Sequence, residues 1–200
     1  MGNYDMLKEL VYYICWKCRS NPAKLDGTRL NKILWYIDTY SYRLWGKSMS
    51  GEQSYLKKQF GPVPVRIDDV LSELRSENKL KILKTDFYGY PKYEFVTFGK
   101  ANVNLFSDDQ INIIDNIVDS VCDNHTAASI SSLSHDFIWD MAKDYEEIPI
   151  YTVLANRPDE LTDSDFNWAD KIINHMPLKE NNIEQLEKSK RNSRGSRCSK

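Results

Sequence analysis

Little in this sequence is of the kind that carries chemistry by itself. Its three histidines, His125, His135 and His175, are isolated from one another and form no HExxH-type metal pattern. Eight glycines are too scattered to build a Walker or dinucleotide phosphate loop. Four cysteines include one close pair, Cys15 and Cys18, and two that stand alone, a count that does not suggest a secreted disulfide framework. The pair has the spacing of half a zinc site, but no second close Cys or His pair completes it, and it lies in an amphipathic run. Structural helix residues are the expected role. The longest apolar runs, such as Ile33 to Ile37, stop well short of the roughly 20 residues a membrane span needs. The start carries acids instead of a charged-then-apolar leader, and Met6 stands where a myristoylation motif wants Ser or Thr. A cytoplasmic protein with no membrane contact is expected.

The formal charge of −2 conceals an asymmetry. Lys188, Lys190, Arg191, Arg194, Arg197 and Lys200 are followed or separated by no acid, which leaves residues 1 to 187 at −8. An acidic body repels nucleic-acid phosphates unless positive charge is locally concentrated, and it suits a basic protein partner. The basic end has almost no apolar residue, so a single domain over residues 1–178 with a disordered tail over 179–200 is expected.

Hydrophobic spacing predicts a mainly α (α+β) fold of about six to eight helices with a small antiparallel hairpin or sheet. Leu7, Leu10, Val11 and Ile14 mark a helix over about 4–19, ended by Asn21-Pro22. Asp26 caps a second helix over about 27–45, with Leu30, Ile33, Leu34, Ile37 and Leu44 on one face and Gly46 closing it. The stretch from Ser54 to Gln59 reads as extended, and Gly61, Pro62 and Pro64 forbid helix where they stand. Ile67, Val70, Leu71 and Leu74 then form a helix over about 65–77, before two alternating runs that read as a β-hairpin. Ser107 with Gln110 makes a capping box for a helix over about 108–122, and Thr126 caps a shorter one. A turn or two of helix follows from Ser134, Ile148 to Ala155 reads as a short strand or buried segment, and a last helix is predicted over about 163–175.

Ser134, His135 and Asp136 bring together the residue types of a hydrolase triad. Consecutive helical side chains point about 100° apart, so these neighbours cannot form the ordered relay, and no glycine-flanked elbow surrounds Ser134. A capping or buried hydrogen-bonding role is expected for His135. The paired acids Asp68-Asp69 and Asp108-Asp109 sit near helix starts, where carboxylates complement the dipole. No enzyme activity and no cofactor are expected.

Two features point to partners. Aromatic residues crowd the second helix, where Trp35, Tyr36, Tyr40, Tyr42 and Trp45 surround the aliphatic stripe; one face cannot bury them all, and exposed aromatics anchor interfaces. Residues 65–98 also have the outline of a winged helix, with Arg66, Arg75, Lys81 and Lys84 as candidate nucleic-acid contacts. Against that reading, Asp68, Asp69, Glu73 and Glu77 make the helix face net acidic.

The landmarks Leu30 to Gly51, Phe60 to Val63 and Ser134 to Trp139 together give the chain a family likeness. It resembles the SocA-like antitoxins of the Panacea domain family, also found in phage-associated mobile-element proteins. The family pattern is a helix of the type L-x-K-L-L-Y-[FY]-A, a G-x-x-[IL]-x-G stretch, an aromatic-Gly-Pro-Val bend and a Ser-His-x-x-x-Trp motif. Lys32, Tyr36, Tyr40, Phe60, Gly61, Pro62, Val63, His135 and Trp139 are the motif residues here. Trp35 and Asp38 depart from the commoner family residues, an aliphatic or Tyr and a small or polar side chain. The resemblance implies a non-enzymatic antitoxin that neutralises a cognate toxin by direct binding. The alternative is a winged-helix regulator that binds operator DNA, and a homodimer is open under either.

Overall fold

The structure, a computed structural model, describes residues 2–87 and 89–155. The predicted helix over 163–175, the domain boundary at 178, the basic tail and Cys198 lie outside the described residues.

Helix α1 (Asn3–Lys17) buries Leu7, Leu10, Val11 and Ile14, as its period requires. Two short 3-10 turns (Cys18–Ser20 and Pro22–Lys24) carry the chain to helix α2 (Gly27–Trp45). Asp26 caps α2 by accepting a hydrogen bond from the Arg29 amide, and Gly46 ends it in the left-handed region at φ 68°, which favours glycine. Strands β1 (Ser54–Lys58) and β2 (Gly61–Pro64) form a tight antiparallel pair. Both prolines of β2 are tolerated because it is an edge strand. Helix α3 (Ile67–Ser76) leads into the long hairpin β3 (Leu80–Phe87) and β4 (Tyr90–Thr97). Helix α4 (Asp108–Asn124) starts with the predicted Ser107–Gln110 capping box, and α5 (Ala127–Leu133) starts at Thr126. Helix α6 (Phe137–Met141) is a little over one turn, capped by Asp136. Strand β5 (Glu147–Pro149) then pairs antiparallel with β1, giving a sheet of order β2-β1-β5, and a 3-10 turn spans Ile150–Leu154.

Helix α2 positions everything else, because it is buried on two sides. Leu30, Ile33, Leu34 and Ile37 face the main core with α1, α3, the hairpin, α4 and α5. Trp35 faces a second core with Tyr55, Ile148, Ile150 and Val153, against which Trp139 packs. Each fully buried Leu or Ile contributes roughly 2 kcal/mol through removal from water. Leu44, predicted for the apolar face, is instead 52% exposed, because the helix outruns both cores near its C-terminus.

Candidate functional site

Three segments distant in sequence converge on the N-terminal half of α2. Lys32 and Tyr36 lie one helical turn apart on α2 and so share a face. Lys32 is 1% exposed, and its ammonium donates to the Pro62 carbonyl at 3.3 Å. That contact requires glycine at residue 61. Gly61 has φ 103°, and a Cβ there would overlap both Lys32 Nζ and Ser134 Oγ. Burial without a counter-charge pulls the Lys32 pKa down to about 7.

The α5–α6 corner closes over this contact. Ser134 is 1% exposed and its hydroxyl donates to the Ser131 carbonyl at 2.7 Å, while the Ser131 hydroxyl donates to the Phe60 carbonyl at 2.9 Å. Asp136 accepts a hydrogen bond from the Trp139 amide. The His135 ring stacks on Trp139, with centroids 3.7 Å apart and planes 5° from parallel. On the same indole, Lys57 Nζ lies 4.0 Å from the ring centroid and also donates to the Ala142 carbonyl at 2.9 Å. Burial, and then the positive charge of Lys32, lower the His135 pKa and keep the imidazole neutral at pH 7. Burial, and then the Asp136 carboxylate, raise that of Tyr36.

The expected hydrogen-bonding role of His135 is corrected by this geometry. Among the described residues its Nε2 and Trp139 Nε1, both buried, have no hydrogen-bond partner, and the pair is held by stacking and by the Lys57 cation. Ser134 is turned toward Ser131, and Asp136 toward a helix start, so the triad letters form no relay. Of the remaining motif residues, Val63 is buried, Tyr40 is half-buried against the main core, and Phe60 is 59% exposed at the tip of the β1–β2 turn.

A second buried polar set went unrecognised from the sequence. The Asp38 carboxylate, fully buried, accepts from the Ser50 amide at 2.8 Å, from the Ser50 hydroxyl, and from the Tyr55 hydroxyl at 2.7 Å. Burial lifts its pKa to about 6, against the three donors that pull it down. Trp35 meets Tyr55 edge-on at 5.0 Å, so the two departures from the family pattern are parts of one arrangement. The signal was present in the G-x-x-[IL]-x-G region, whose Ser50 supplies two of the donors.

The cysteine pair does not face itself. Cys15 is fully buried in the main core, whereas Cys18 Sγ lies 3.9 Å from Cys122 Sγ on α4. Their hydrogen bond raises the Cys18 pKa and lowers that of Cys122. Among the described residues, no group of three or more His, Cys, Asp or Glu side chains could hold a metal ion.

The winged-helix residues divide. Arg66 is paired with the buried Glu52 at 2.7 Å. Arg75 and Lys84 line a groove of about 420 Å³ between α3 and the hairpin, together with Lys58, and Lys81 is exposed on β3 outside it. Glu73 of α3 and Glu77 just past its end are paired with Lys8 of α1, at 2.5 and 2.9 Å.

Residues 30–140, just over half the chain, match the family described as antitoxin SocA-like, Panacea domain. The chain belongs to the SocA-like Panacea domain family. Its matched span takes in both the Lys32–Gly61–Ser134 contact and the Asp38–Ser50–Tyr55 set. No curated protein and no solved structure gives a match. Among the described residues, no helix is long and apolar enough to cross a membrane.

Proposed function

We propose that this Panacea domain protein is an antitoxin that neutralises a cognate toxin by binding it directly, without catalysis of its own. The observation that carries this reading is how the motif residues are used. Lys32, Gly61 and Ser134, with the neighbouring Ser131, are turned onto one another and onto backbone carbonyls, so they fix the β1–β2 turn and the α5–α6 corner as one rigid unit. A rigid platform suits a binding module, which gains affinity from contacts already in place. Family membership supplies the kind of partner, and an acidic body fits a basic one.

The test is co-expression with the adjacent gene. That gene is toxic alone and harmless in the presence of this chain, and the two products co-purify. Full toxicity despite normal expression of the chain defeats the reading.

One observation favours a second reading, binding to operator DNA. Lys58, Arg75 and Lys84 line one groove, and among the described residues none of the three has an ion-pair partner. A mobility shift on the chain's own promoter at low salt, abolished by Arg75→Glu with Lys84→Glu, supports that reading, and no shift at low salt rejects it.

A further inference from the structure

We infer that the toxin docks on the outer face of the segment from Leu133 to Glu147, through an apolar row presented by Leu133, Phe137, Met141 and Tyr145; this rests on the antitoxin reading above. Phe137 and Met141 lie one turn apart on α6, with Leu133 at the end of α5 before them and Tyr145 in the turn after, and in chain order the four are 60%, 64%, 70% and 76% exposed. Phe60, 59% exposed, stands at the tip of the β1–β2 turn, whose Phe60 carbonyl is held by Ser131. Scattered exposed apolar residues are ordinary, but a row of large ones on a single short segment is the composition of an interface centre.

The segment is held as a rigid strap rather than a loose loop. Three hydrogen bonds tie it to Lys57: Lys57 Nζ to the Ala142 carbonyl, the Tyr145 amide to the Lys57 carbonyl, and the Lys57 amide to the Glu146 carbonyl; just before it, Ser131 Oγ donates to the Phe60 carbonyl. The stacked His135 and Trp139 are among its half-buried side chains. Tyr145 itself has φ 64°, a left-handed conformation that a bulky side chain adopts only under constraint. A glycine or asparagine would fit that backbone better, and an aromatic there gains nothing from the fold, since its ring is the most exposed of the row.

Charge selects the occupant. Between Leu133 and Glu147 stand Asp136, Asp140, Asp144, Glu146 and Glu147 against Lys143 alone. Of the nearby cations outside the segment, Lys57 is buried under Trp139 and Lys32 is buried against the Pro62 carbonyl. The row therefore fits a basic surface that carries apolar side chains, and it disfavours nucleic acid.

The experiment uses the full chain co-expressed with the adjacent gene's product, and compares Phe137→Ser with Met141→Ser, Tyr145→Gly, and Arg75→Glu as a control in the groove between α3 and the hairpin. Because the row is exposed, the variants keep the wild-type melting temperature, and Tyr145→Gly, freed of its constrained backbone, melts no lower. Toxin co-purification falls by about tenfold or more in the row variants and is unchanged in the control. Wild-type binding by the row variants overturns the assignment while leaving the antitoxin reading intact. Failure of the wild-type chain to bind the product at all rejects the antitoxin reading instead. Should the wild type self-associate, and the serine pair disperse it while neutralisation persists, the face belongs to a second copy and the inference is overturned.

Discussion

The Lys32 ammonium fills the space that a side chain on residue 61 would need. Gly61→Ala therefore combines two penalties, a constrained φ and displacement of a buried amine from the Pro62 carbonyl, and it should destabilise the protein by about 2–4 kcal/mol. Urea denaturation measures the loss. In a Lys32→Ala background the space is vacated, so the same substitution should be milder. Equal costs in the two backgrounds would show that the contact is not responsible.

Lys32 also makes stability depend on pH in a definite direction. Its folded pKa, near 7, lies below the ordinary lysine value of 10.5, so the native state holds fewer protons across that interval. The penalty for burying the charged amine is complete below pH 7 and is relieved as pH rises toward 10.5, by a few kcal/mol in all. Lys32→Met lacks the titrating group. The wild type should gain on the variant between pH 7 and 9.5 in parallel melts, and parallel curves would refute the buried, weakly partnered lysine.

The His135–Trp139 stack is predicted to act on stability before it acts on binding. Trp139→Ala removes the surface shared by His135 and Lys57 and should cost about 2–4 kcal/mol. His135 adds a pH effect of its own. A histidine with a lowered folded pKa contributes stability that is present above its unfolded value, near 6.5, and is lost as pH falls through the folded one. Acidification from pH 7 to 5 should narrow the stability gap between the wild type and His135→Gln; an unchanged gap would mean that the imidazole is free to ionise. Toxin binding by a folded His135→Gln should match the wild type.

Much of this fold is legible in the chain because its helices carry their own punctuation. Asp26, Gly46, Ser107 and Thr126 each cap where hydrogen-bonding chemistry demands, and the 65–98 helix and hairpin follow from a switch of period. The pairing of β5 with β1 is not legible, since a three-residue strand has no period and its partner lies about 90 residues away. Nor is the burial of Lys32 and Asp38, because hydrophobic patterning counts both as solvent-facing. The family motif located Lys32, Gly61 and Ser134 without revealing that they touch. The partnership of Cys18 with Cys122 was hidden for the same reason: sequence spacing favours Cys15, and only the packing of α1 on α4 decides otherwise.

Asp38 shows how a departure from the family pattern can be tested as a unit. Its carboxylate receives three donors and offers no proton of its own when ionised. An amide in its place would turn an NH2 group toward donors, so Asp38→Asn should destabilise the protein by about 2–3 kcal/mol, and Tyr55→Phe by about 1–2 kcal/mol. The double mutant should cost less than the two single changes together, because each removes the same bond. The pH signature runs opposite to that of Lys32. With a folded pKa near 6, above the ordinary aspartate value, Asp38 contributes stability that is present below pH 4 and lost as pH rises through 6. On acidification from pH 6.5 to 4.5 the wild type should therefore gain on Asp38→Asn. A gap that stays constant over that range would mean that the carboxylate reaches water, contrary to its complete burial.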